Sequence, residues 1–86
     1  MTSIIQSVIF NLHKWTIIKA AQWIQEHEFK IKKIDITKNY LRFRQISPER
    51  LKKEGYIHYI TKKIDNGIEL IIAVKNNPPI NYNLRY

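Results

Sequence analysis

Apolar and polar positions along this chain alternate at two different periods, and the changes of period divide it into short elements. In 3–10 the apolar residues Ile4, Ile5, Val8, Ile9 and Phe10 occupy both parities. A strand apolar on both sides is covered on both faces or sits centrally in its sheet, and Asn11 ends it. Thr16 then precedes an amphipathic run over 17–27. Ile17, Ala20, Ala21 and Ile24 recur at helical spacing, with Trp23 beside them and Lys19, Gln22, Gln25 and Glu26 on the wet side. A threonine so placed caps the first turn. The stripe predicts a helix of about three turns lying on a sheet. Residues 29–35 read as a strand whose parity switches at Lys32 and Lys33, the mark of a bulge or a strand end. After the turn Thr37-Lys38-Asn39, residues 40–46 alternate cleanly. Leu41 and Phe43 point one way, and Tyr40, Arg42 and Arg44 point the other; if the first pair faces the core, Arg42 and Arg44 stand side by side in water.

Ser47 and Pro48 have the look of a helix start, with the serine as cap and the proline at the first helical position. Gly55 closes this helix after one or two turns. Residues 56–64 and 68–75 form a hairpin around Asp65-Asn66-Gly67. A two-residue Asn-Gly loop sets Ile64 opposite Glu69; a three-residue loop sets Ile64 opposite Ile68. The hydrophobic pattern prefers the second, which brings Ile60 and Ile64 onto the face of Ile68, Leu70, Ile72 and Val74. Pro78 and Pro79 stop the last strand. The expected fold is α+β, a single small domain over 1–75 in the order β-α-β-β-short helix-β-β. One main helix packs on a mostly antiparallel sheet of four to five strands. A tail over 76–86 follows, with Ile80, Tyr82, Leu84 and Tyr86 at even spacing.

Composition narrows the class. The chain has 86 residues, 44% of them hydrophobic, so one core can form and disorder is not expected. It contains no cysteine, which excludes disulfide and Cys-zinc frameworks. No run reaches the ~18–20 apolar residues of a membrane span. The first ten residues lack the basic start of a signal peptide, so the protein is expected inside the cell, without membrane contact.

Charge sharpens the picture further. Fifteen Lys and Arg face seven Asp and Glu, a formal net charge of +8. Nine of those bases lie between Glu28 and Lys53, against three acids, Glu28, Asp35 and Glu49. Lys30, Lys32, Lys33, Lys38, Tyr40, Arg42 and Arg44 make the candidate nucleic-acid-binding surface. Arginines beside an aromatic on a sheet hold phosphate and stack a base or sugar. Two competing readings weigh against it. Asp35 or Glu69 could pair with the arginines across strands, and an AT-rich genome would supply lysine, isoleucine and asparagine regardless of function.

Catalytic and metal chemistry find little support. His13, His27 and His58 lie in different elements without the spacing of a metal motif, and no serine sits in a nucleophile elbow. No enzyme activity, catalytic residue, metal or cofactor is expected. Trp23 belongs to the core by its spacing, and Trp15 could staple onto the helix at Ala20.

Several segments together are similar to a small uncharacterised domain family of nucleocytoplasmic large DNA viruses and tailed phages. They are Trp15-Thr16, Ala20, Trp23-Ile24, His27, Phe29, Lys33, Asp35, Thr37, Asn39-Tyr40 and Arg42-Phe43-Arg44-Gln45. Ser7-Val8-Ile9-Phe10, Tyr56, Thr61-Lys62-Lys63 and the stretch from Gly67 to Ala73 fit the same layout, so the resemblance covers roughly residues 5–75. Where that family has a glycine after the helix, this chain has Glu28. The resemblance implies the same element order and a viral or phage origin, with the protein inside an infected host cell or packaged in a virion. It brings no ligand and no catalytic residue. The resulting expectation is a non-enzymatic viral or phage binding module that engages nucleic acid through a basic sheet face. The alternative is a protein-protein interaction module, a virion component or an inhibitor of host defence. It would act through a homodimer or another protein partner held at a sheet edge or by the tail.

Overall fold

The Thr16 hydroxyl accepts from the Lys19 backbone N–H at 3.1 Å and opens helix α1, Ile17–Glu26, where the sequence places it. Its other end closes in an unexpected way. Glu28 takes the left-handed conformation at φ 61°, the role usually given to glycine. The backbone N–H of Phe29 donates to Ile24 and that of Glu28 to Gln25, a complete Schellman closure. Phe29 then stacks under Trp23, the apolar contact that accompanies this cap.

The computed structural model describes residues 3–75. Around α1 stand β1 (Ser3–Asn11), β2 (Lys33–Ile36), β3 (Tyr40–Arg44), helix α2 (Pro48–Lys53), β4 (Tyr56–Asp65) and β5 (Ile68–Lys75). The five strands form one sheet in the order β2-β3-β1-β5-β4, each pair antiparallel. The chain is thus a small α+β fold, and β1 is central as its two-sided apolar pattern requires. The expected tail, 76–86, lies outside the described residues.

One sheet face carries the core. Val8 and Phe10 of β1, Leu41 and Phe43 of β3 and Ile68 and Leu70 of β5 pack under Ala20 and Ile24 of α1. Phe10 is the hub, meeting Trp15, Trp23 and Phe43 edge-on at 5.2, 5.6 and 5.7 Å. Trp15 also donates its indole N–H to the Asn66 carbonyl at 2.9 Å, tying the start of α1 to the β4–β5 turn. α2 packs on β4 from the other side. Its Pro48 borders a hollow with Arg42, Tyr59 and Ile71, which all point away from α1, and its Leu51 is completely buried.

Two expected boundaries shift. The strand expected over 29–35 begins only at Lys33. The Gln45 side chain takes the place of a strand partner for Lys30, accepting from its N–H at 2.8 Å and donating to its carbonyl at 2.9 Å. The strand expected over 40–46 ends at Arg44. There the Gln45 N–H goes to the Gln6 carbonyl and the Gln6 amide to the Ile46 carbonyl.

The hairpin combines both registers. Its loop is the two-residue one, with Asp65 opposite Ile68. A bulge at Ile64 then restores the pairing that the hydrophobic pattern prefers, with Lys62 opposite Leu70 and Ile60 opposite Ile72. The Asn-Gly turn and the apolar pattern make conflicting demands, and one extra residue satisfies both.

Candidate nucleic-acid interface

Cross-strand register assembles the face turned away from α1 into rows. One row runs Lys33, Arg44, Ser7, Ile71 and Thr61, from β2 across to β4. The next runs Asp35, Arg42, Ile9, Glu69 and Lys63. Tyr40 stands one step beyond the second row, beside Asn11. α2 packs against β4 on this face, and its Pro48 reaches the hollow beside Arg42, where Gln6 and Ser7 are buried.

The two arginines are less free than their parity suggests. Arg42 donates from Nε to the Ser7 hydroxyl at 2.9 Å and from Nη2 to the Gln6 side-chain oxygen at 2.8 Å. Gln6 and Ser7 are buried, and the Ser7 hydroxyl donates in turn to Gln6. Arg44 pairs with Asp35 at 2.9 Å, one of the pairings weighed against a binding role. The expectation that both stand side by side in water is therefore corrected: both are half-buried and engaged. They are not used up. Two of the five N–H donors of Arg42 are occupied, and the rest of its fork remains. The Arg44 Nε is shielded from solvent and meets no acceptor among the described residues.

The lysines divide into two groups. Lys30, Lys32 and Lys33 join Arg44 around one hollow of about 430 Å³, where Glu49 is the single acidic side chain. Lys33 and Arg44 face each other directly across β2 and β3. Lys38 lies at the far end of that hairpin, in the turn before Tyr40, away from this group. Tyr40 is about half exposed and lines a separate hollow with Arg42 and Ile9.

Four residues at this face escape a linear reading. Tyr59 and Lys63 join it only through the β4–β5 register, which the bulge at Ile64 sets. Gln6 and Ser7 matter as the anchor of Arg42. Their only sequence signal is a polar pair interrupting an otherwise apolar strand.

The His13 ring meets Asn39 at 3.0 Å, the His27 ring stacks on Trp23, and His58 lies on exposed β4. Among the described residues no three His, Cys, Asp or Glu side chains gather as a metal site. No helix among them is long and apolar enough to cross a membrane. A hollow of about 720 Å³ lies over Ile5, Leu70 and Ile72. Comparison of the chain with protein-family models, with curated proteins and with solved structures gave no match.

Proposed function

We propose that the protein is a non-enzymatic nucleic-acid-binding module that grips the phosphate backbone at the basic end of its sheet. The observation that carries this reading is the direct opposition of Lys33 and Arg44, with Lys30 and Lys32 around the same hollow. Like charges placed opposite each other destabilise a sheet, and Asp35 balances only one of them. A polyanion laid over this end supplies the missing negative charge. Affinity then comes from counterion release and needs no contact to a particular base. The excess of +8 over the whole chain draws the same partner from a distance.

The test is fluorescence anisotropy with a labelled 12-nucleotide DNA at low and physiological salt. The parent protein should bind several-fold more weakly at the higher salt. Replacing Lys30, Lys32 and Lys33 together by glutamine should weaken low-salt binding at least tenfold. A triple variant that binds like the parent overturns the reading. A viral or phage setting, inside the infected cell or in the virion, belongs to the same proposal and rests on the residues that carry the resemblance.

A second reading, a protein-interaction module, is favoured by β4. This ten-residue strand pairs only with β5 among the described residues and exposes Ile57, Tyr59, Ile60 and Ile64. A long apolar edge is a template for another strand. Sedimentation velocity distinguishes the readings. A dimer that an Ile60→Lys substitution dissolves supports edge pairing; a monomer at all concentrations removes self-association.

A further inference from the structure

Resting on the nucleic-acid reading, we infer that the ligand is a single strand, whose bases stack on Tyr40 and Tyr59 while Arg42 holds the backbone between them. The two tyrosines are 47% and 48% exposed, and both lie on the face turned away from α1. Arg42 links them. It lines one hollow of about 410 Å³ with Tyr40 and a second of about 270 Å³ with Tyr59. Ile9 lies in the first and Ile71 in the second, so an apolar side chain accompanies each ring.

The register gives the path its length. Tyr40 is on β3 at the level of Asn11, while Tyr59 on β4 is opposite Ala73, which is opposite Ile4. Three strand spacings across and six residues along separate the rings by roughly 25 Å on the diagonal. That is the reach of a short oligonucleotide rather than of one nucleotide.

Charge along the path is compatible with a backbone. Lys33 and Lys63 stand at its two sides. One acid of the face is paired, and the other stands opposite a base across the strands. Asp35 is held by Arg44, and Glu69 is directly opposite Lys63. Arg42 keeps its position through Gln6 and Ser7, bonds that use two of its five donors.

The duplex does not suit this arrangement. Its bases are stacked inside and offer no open ring face, so two exposed tyrosines contribute nothing to holding it. A single strand offers a ring at every nucleotide, and stacking tolerates any sequence. The phosphate contacts at Lys30, Lys32 and Lys33 serve either form.

The experiment compares labelled dT12 with a 12-base-pair duplex, at equal salt, on the full chain. The parent should bind dT12 more tightly. Tyr40→Ala and Tyr59→Ala should each weaken dT12 binding by about 5- to 100-fold, the range of one base–aromatic stack. Duplex binding should not change, and Tyr40→Phe and Tyr59→Phe should keep the parent affinity for dT12. Circular dichroism of each variant separates lost stacking from lost fold, and the phenylalanine variants keep the ring where alanine perturbs β3 or β4. Equal affinity for the two forms, or alanine variants that bind dT12 like the parent, overturns the stacking path and leaves the phosphate reading standing. Binding to neither form overturns both.

Discussion

Arg42 shows how one residue can serve the fold and the surface together. Its guanidinium bridges two buried polar side chains, Gln6 and Ser7, at the bulge of β1. Truncation to alanine strands the Ser7 and Gln6 oxygens without their charged donor, at a cost of about 1–3 kcal/mol. Urea unfolding of Arg42→Ala should show that loss, whereas Lys33→Gln, fully on the surface, should stay within about 0.5 kcal/mol of the parent. The contrast decides how binding data are read. A weakened Arg42 variant must be compared at equal folded fraction, while the lysine variants report on the surface directly. The alternation of 40–44 was enough to put Arg42 opposite the core. Nothing in it disclosed the partners, because Gln6 and Ser7 are 36 and 35 residues away and come into reach only through β1–β3 pairing.

At the scale of elements, local signals were legible and long-range pairings were not. Thr16 and Ser47 cap the helices they precede, because a cap acts within three residues. The strand expected from Phe29 failed because the Gln45 side chain, from beyond β3, satisfies the Lys30 backbone. The hairpin register was ambiguous because turn and pattern disagree, and the bulge at Ile64 resolves it. Two predictions belong here. Glu28 holds a positive φ that glycine adopts without strain. Glu28→Gly should stabilise the protein by about 0.5–1 kcal/mol, the relieved strain less the extra freedom of the unfolded chain, and raise the thermal midpoint. Gly67 has φ +80°, and a Cβ there would lie 2.9 Å from the Trp15 ring. Gly67→Ala should therefore destabilise by about 1–3 kcal/mol. It should also alter tryptophan fluorescence, since the new Cβ presses on the Trp15 ring that meets Asn66 and Phe10.

Over the whole molecule, the charge excess and the aromatic path act, under the proposed reading, on different parts of a binding isotherm. Composition alone made the protein basic, but it could not separate function from codon bias. The fold sorts the bases: Lys30, Lys32, Lys33 and Arg44 around one hollow, Lys38 apart, Arg42 tied to the sheet. Each phosphate neutralised on a single strand contributes about 0.7 to the slope of log K against log salt. The triple lysine-to-glutamine variant should thus flatten that slope by about 2 if all three lysines touch phosphate. Tyr40→Ala and Tyr59→Ala should lower affinity at every salt concentration and leave the slope as it was, because stacking releases no counterions. Titrations of dT12 between 50 and 200 mM salt measure both quantities at once, over about the range in which such contacts are most sensitive. A slope unchanged in the triple variant would make the lysines a by-product of composition. A slope that fell in the tyrosine variants instead would mean that the rings position the backbone rather than hold bases.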